Sequence, residues 1–235
     1  LGPFAVYRRV LHPWAVFAGS GRRTSSTSVA HKPHRREPGS LRSVVWPSLT
    51  GATSRFKGGG VARTAAARAR ACGELAGGAW KVNLNGSYID TFKTKGIDSL
   101  PYSDNLVGEY VRYYNLPIKW KHTLNFSYVH GDWSHSLTQL YRDGYKDELP
   151  VSVRNETYVP AQWDPNVDEY ITYNYSVSYA GIDNMKLTFG IKNLFDEDPP
   201  FTAHQNDFAA GAAWEPRIAD PRGRAYTLLL EYKFM

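Results

Sequence analysis

Lys186-Leu187-Thr188-Phe189-Gly190-Ile191-Lys192-Asn193-Leu194-Phe195-Asp196 and Pro221-Arg222-Gly223-Arg224-Ala225-Tyr226-Thr227-Leu228-Leu229-Leu230-Glu231-Tyr232-Lys233-Phe234-Met235 bracket a long polar loop near the end of the chain. Both alternate with period two, the mark of a strand with two unlike faces. In the second stretch Tyr226, Leu228, Leu230, Tyr232 and Phe234 share one side. Thr227, Glu231 and Lys233 share the other, with Leu229 as the exception. An aromatic and aliphatic face backed by a charged one, with aromatics near the strand ends, suits a strand standing between lipid and a watery lumen.

The pattern recurs upstream. Ile171, Tyr173, Tyr175, Val177 and Tyr179 alternate with Thr172, Asn174, Ser176 and Ser178, and Leu187, Phe189 and Ile191 oppose Lys186, Thr188 and Lys192. Ile118, Trp120, Leu124, Phe126 and Tyr128 alternate with Lys119, Lys121, Thr123, Asn125 and Ser127. A weaker strand runs from Trp133 to about Tyr145, with Leu137 and Tyr141 against Ser134, Ser136, Thr138 and Arg142. Trp80, Val82, Leu84, Tyr88 and Phe92 face Lys81, Asn83, Asn85, Ser87 and Thr91, with Ile89 out of pattern and Gly86 and Asp90 weakening the apolar side. The expected fold class is all-β, an antiparallel up-and-down meander of about six strands.

The connections add direction. Gly131-Asp132 and Gly181-Ile182-Asp183-Asn184 read as tight turns. The links ending near Asn115, from about Lys146 to Val167, and from about Asp196 to Arg222 are long. Outer-membrane barrels have short periplasmic turns and long extracellular loops. With a periplasmic C-terminus, both tight turns fall inside and all three long loops outside. Strands of roughly 10 to 14 residues also match a tilted membrane strand. A soluble β-sandwich would show the same alternation, with the aromatics in a dry core. Against it stand the one-sided long loops, the excess of Tyr and Trp over Val and Ile on the apolar side, and the aromatic end of the last strand.

Asn193-Leu194-Phe195-Asp196, then Pro199-Pro200, then Gly223-Arg224 opening the last strand and Phe234 at its end, resemble the C-terminus of TonB-dependent outer-membrane receptors. Met235 departs from the family, which usually ends on the aromatic itself. The resemblance spans about residues 80–235, and its specific motifs lie in 193–235. It implies the C-terminal portion of a transmembrane β-barrel of about 22 strands whose lumen holds a plug. It implies a cell outer membrane location and energised uptake of a scarce ligand, namely a siderophore, a vitamin or a carbohydrate. The implied partners are outer-membrane lipid, the barrel assembly machinery and, in the full-length protein only, the TonB complex. By the same resemblance Tyr226, Leu228, Leu230, Tyr232 and Phe234 form a signal read by the assembly machinery, which is compatible with their being lipid-facing residues of a closing strand. Neither a plug nor a TonB-contacting segment is legible, so the chain is expected to be unable to transport alone: six strands leave two unpaired edges in lipid.

Two alternatives remain open. A small self-contained outer-membrane barrel or adhesin anchor needs at least about eight strands. A soluble β-rich binding protein with a basic nucleic-acid-binding arm belongs to another class.

That arm is suggested by the uneven charge. Of 28 Lys and Arg and 22 Asp and Glu in 235 residues, residues 1–78 hold thirteen and two, leaving fifteen and twenty beyond. Fifteen of the 16 Tyr also lie beyond Gly78, so two unlike polypeptides meet near Gly77-Gly78. Ser, Arg, Gly, Pro and Ala dominate Gly19 to Gly78, and such a stretch buries too little to offset its ordering entropy. Val61 to Ala76 is Ala- and Arg-rich and could form an isolated helix, weakened by Gly73. Leu1 to Ala18 contains Pro13 and does not resemble a secretion signal. Three readings compete for residues 1–78: a basic arm for nucleic acid or anionic lipid, a disordered leader, or a frame-shifted or misjoined segment foreign to this fold. The third is favoured, because the resemblance calls for a signal peptide and a plug there, and no nucleic-acid partner is expected.

A mean hydropathy of −0.46 is compatible with barrel strands, which show only one face to lipid. The single cysteine, Cys72, rules out an internal disulfide and a multi-Cys metal site. No catalytic constellation is legible, and neither enzyme activity nor a cofactor is expected. His31 and His34 are separated by Pro33 without further ligands, and Asp196-Glu197-Asp198 lacks the spacing of a calcium loop, so no metal is expected. The weak ligand candidates are Trp163, Phe201, His204 and Trp214 in the long loops, where aromatic rings can stack on a sugar or siderophore or simply pack the loop.

Overall fold

The structure is a computed structural model that describes residues 41–56, 60–97, 99–110, 116–148, 164–203 and 213–234. These residues form β1 (Leu41–Phe56), β2 (Gly60–Leu75), β3 (Gly78–Lys93), β4 (Trp120–His130), β5 (Trp133–Arg142), β6 (Tyr145–Lys146), β7 (Asn166–Val167), β8 (Tyr170–Ile182), β9 (Met185–Lys192) and β10 (Ala225–Tyr232). One eight-stranded antiparallel sheet runs in the order β1-β2-β3-β4-β5-β8-β9-β10, and β6 and β7 pair separately. The chain thus forms an all-β meander without a crossover. The sheet does not close: among the described residues β1 pairs with β2 alone and β10 with β9 alone.

Register keeps the two faces apart. Val82, Phe126, Leu137, Tyr175, Ile191 and Tyr226 stand opposite one another in a row across six strands. The adjacent row reads Cys72, Lys81, Ser127, Ser136, Ser176, Gly190 and Thr227. Because side chains alternate every residue, a one-residue slip at any of these pairings would put polar groups in the apolar row. Neither a helix nor a second sheet layer covers the apolar face among the described residues. Phe126 stays 39% exposed and Leu228 72%. The buried cluster instead lies among the loops, where Tyr110, Tyr145 and Val167 pack with Leu116 and Ile218.

The two ends of the sheet differ. One end carries the turns Ala76-Gly77, Gly131-Asp132 and Asp183-Asn184, each with at least one residue at positive φ. Ala76 and Gly77, at φ 48° and 76°, give the mirror-image turn that matches strand twist. The other end carries the long connections 94–119, 143–169 and 193–224 and the short link 57–59.

Three expectations are corrected here. The main sheet has eight strands and not six, because β1 (Leu41–Phe56) and β2 (Gly60–Leu75) fall in the part whose sequence reads as irregular. Val61 to Ala76 is not a helix. Ala65, Ala67, Ala69 and Ala71 alternate with Ala66, Arg68, Arg70 and Cys72, and the strand gains ladders on both sides, to β1 and to β3. An isolated helix of that length has only its own hydrogen bonds and is marginal in water. Third, a bulge at Asp90, between Thr64↔Ile89 and Arg63↔Thr91, shifts register and carries Phe92, opposite Ala62, away from the apolar side. The change of composition at Gly77-Gly78 falls in a hairpin turn within one sheet. Residues 1–40, including His31 and His34, lie outside the described residues.

Candidate functional site

The Asn193-Leu194-Phe195-Asp196 run leaves β9 and forms a clasp with the start of β10. Asn193 is 4% exposed and sits at φ 51°, a left-handed conformation that asparagine tolerates better than most residues. Its Oδ1 accepts from Glu197 N (2.9 Å) and its Nδ2 donates to Glu197 O (2.9 Å). Its own N–H donates to Asn174 Oδ1 on β8 (2.9 Å), and Leu194 N donates to Tyr173 O (2.6 Å). Asp196 Oδ1 then accepts from Arg224 N (2.6 Å), and Arg224 Nη2 lies 3.9 Å from Asp196 Oδ2. Gly223 is at φ 64°, and a Cβ there would stand 3.0 Å from Asp196 Oδ1. Phe195 projects outward with its ring edge-on to Tyr173 at 5.2 Å. The structure therefore brings together Asn193, Asp196, Gly223 and Arg224, and their work is to join β8, β9 and β10.

The three long loops are tied to one another. Tyr110 N donates to Lys146 O (2.8 Å) and Lys146 N to Gly108 O (2.7 Å). Buried Asp147 accepts from Thr202 Oγ1 (2.8 Å) and Ala203 N (2.7 Å). Glu215, 2% exposed, forms a two-point ion pair with Arg217 at 2.7 and 2.9 Å, and the Arg217 guanidinium lies 5.3 Å from the Tyr110 ring centre. Burial pushes the Tyr145 phenol strongly up and the Tyr110 phenol up, the latter opposed by Arg217. The Glu215 bond raises Arg217 further.

The described part of the last loop from Pro216 to Gly223 lies against the polar face. Between them lies a cleft of about 250 Å³ lined by Arg142, Thr172, Asn174, Lys192, Ile218 and Asp220, among others. Asp220 accepts from Lys192 Nζ (2.7 Å) and from Arg222 Nε and Nη2 (2.8 and 2.6 Å). These bonds, Arg222 first, hold its carboxyl well below the usual carboxylate range.

Of the predicted aromatic candidates, the described Phe201 and Trp214 do not line this cleft. Phe201 is 72% exposed and Trp214 half-buried; the bond from Thr202 N to Ala213 O (3.0 Å) sets their segments side by side. Trp163 and His204 lie outside the described residues. Tyr226, Leu228, Leu230, Tyr232 and Phe234 are all exposed, the first four on β10 with its outer edge unpaired among the described residues. Sequence reading missed Asp147, Glu215 and the Lys192–Asp220–Arg222 group, because polar residues in loops carry no periodicity to flag them. It also missed Arg68 and Arg70, whose two-residue spacing between alanines was the available signal.

The apolar face has a banded composition. Toward the loops Trp120 Nε1 donates to His122 Nδ1 (2.9 Å), His122 stacks on Tyr141 at 5.0 Å, and Gln139 Nε2 donates to the Tyr173 hydroxyl (2.7 Å). Toward the turns Trp133 packs on Tyr179 at 4.6 Å, and His135 Nδ1 meets the Tyr175 hydroxyl at 2.7 Å. Leu84, Leu124, Val82, Phe126 and Leu137 lie between. From Trp120 to Tyr128 the strand covers roughly 27 Å at about 3.4 Å per residue. Tilted by about 40°, that is on the order of 20 Å, near the apolar band of about 25 Å in outer-membrane barrels.

No protein-family model, curated protein or solved structure matches the chain.

Proposed function

We propose that this chain supplies C-terminal barrel strands of a TonB-dependent outer-membrane receptor, a protein that takes up a scarce ligand with energy delivered from the inner membrane. The observation that carries the reading is the uncovered apolar face, continuous across six strands and bordered at both ends by aromatic and histidine side chains that bond to one another. A sheet in water would expose that face at a large hydrophobic cost, whereas acyl chains match it. Tight turns at one end and long, mutually bonded loops at the other suit a periplasmic and an outer side. The free edges of β1 and β10 would pair with further strands of the receptor barrel, satisfying backbone groups that lipid cannot. On this reading Tyr226, Leu228, Leu230, Tyr232 and Phe234 are available to the assembly machinery, and the loop aromatics Phe201 and Trp214 to the imported ligand.

The eight-strand count favours a second reading. Eight is the smallest number with which such barrels close, and β1 and β10 run antiparallel in an even meander, so they could pair with each other to give a small anchor.

One experiment separates these readings. The chain is exported to the envelope of a Gram-negative host, fractionated, and run unheated and heated on a denaturing gel. The receptor reading predicts recovery with the outer membrane without a heat-dependent shift. A heat-dependent shift favours the eight-stranded anchor. Recovery as a soluble periplasmic protein would overturn both.

A further inference from the structure

The polar face carries cations on four successive rungs. Arg142 and Lys121 are direct partners on the first rung, nearest the loops. Arg68 follows on the rung with Asn85 and Thr123, then Arg70 with Asn83 and Asn125, then Lys81 with Cys72 and Ser127. Partners across antiparallel strands share a face, so all five point to the same side. Successive rungs on one face are about 7 Å apart, inside the screening length of about 8 Å at physiological salt. From β1 to β10 no Asp or Glu occupies these rungs; Glu74 lies one rung farther, opposite Ala79. Among the described residues none of the five cations is ion-paired. Arg70 Nε donates to Asn83 Oδ1 (3.0 Å) and Arg142 Nη1 to Tyr141 O (3.0 Å), which orients both guanidinium groups. Two hollows adjoin the series and share Arg68: one of about 530 Å³ with Arg70, Lys81 and Asn83, another of about 280 Å³ with Lys121 and Arg142.

We propose that this series is a binding track for a small polyvalent oxyanion, a solute whose carboxylate or phosphate groups engage neighbouring rungs. Guanidinium pairs carboxylate or phosphate through two parallel bonds, and the asparagines and serines beside each cation supply hydroxyl and amide donors. The vertical spacing lets one anion with several charged groups engage two neighbouring rungs at once. The inference deepens the receptor reading in that this face lines the wet side of the barrel.

The test uses the full chain in detergent micelles at low salt, titrated with citrate and followed calorimetrically. Saturable binding that weakens with added NaCl is expected. The double variant Arg68→Gln/Arg70→Gln and the variant Lys81→Gln should each weaken it about tenfold or more. Lys233→Gln, which removes the same charge outside the series, should not change it. Unchanged binding in the Arg68/Arg70 variant, equal weakening by Lys233→Gln, or no binding by a correctly folded chain would overturn the track. The envelope fractionation above does not depend on citrate, so loss of the track and loss of the membrane reading are separable.

Discussion

Asn193 holds an unfavourable backbone angle while its amide bonds both ways to Glu197 and its N–H reaches Asn174. Alanine would keep the strain and lose both side-chain bonds, leaving the backbone N–H and C=O of residue 197 without these part-buried partners. Asn193→Ala is expected to cost roughly 2–3 kcal/mol, read as a lower denaturant midpoint in micelles. An unchanged midpoint would mean that the clasp is incidental. Asp220 offers a test by pH. Its folded carboxyl titrates below the ordinary value of about 3.9, so its contribution is complete above that pH and declines as pH falls below it. Limited proteolysis of the segment 213–224 should therefore be slow at neutral pH and accelerate near pH 3, and Asp220→Asn should be cleaved quickly at both. These residues illustrate what was legible at this scale. The clasp was found as a motif, because its order and spacing survive in one dimension. Its function as a joint was not, since Asp196 and Gly223 meet only after the chain has run through a long loop.

At the level of single strands, β3, β4, β5, β8, β9 and β10 were legible because large aromatic and aliphatic residues mark every second position. β1 and β2 were not. β2 alternates just as regularly, but its apolar side is alanine, a strong helix former whose small side chain weakly signals burial. β1 has Pro47 and Gly51 inside it, and its ladder to β2 shifts register between Val45 and Ser48, around that proline. Pairing with a neighbour outweighed local preference in both. The β2–β3 register can be checked with the native thiol: Cys72 lies directly opposite Lys81. In Lys81→Cys, mild oxidation should give an intramolecular disulfide detectable by mass and gel mobility, whereas Asn83→Cys, opposite Arg70, should cross-link far less. Equal yields, or none from Lys81→Cys, would contradict the strand assignment. Within β3, Gly86 lies beneath the Trp120 ring, which would collide with any Cβ at that position. Gly86→Val should displace the ring and lower stability by about 1–3 kcal/mol.

Across the whole molecule, the hydrophobic material is arranged in an unusual way for a chain in water. Its one buried cluster among the described residues is small and sits in the loops, while the sheet leaves a broad apolar face and two edges open. A bilayer and further strands would complete both. The polar side, with its asparagines, serines and arginines in register, then faces water. A direct measurement uses two neighbouring residues of β4 on opposite faces. In a Cys72→Ser background, Asn125→Cys and Phe126→Cys are reconstituted into lipid nanodiscs and treated with a charged maleimide. Asn125→Cys should label rapidly and Phe126→Cys should stay unmodified until the lipid is removed. Equal labelling of both, or rapid labelling of Phe126→Cys alone, would contradict a lipid-facing apolar side.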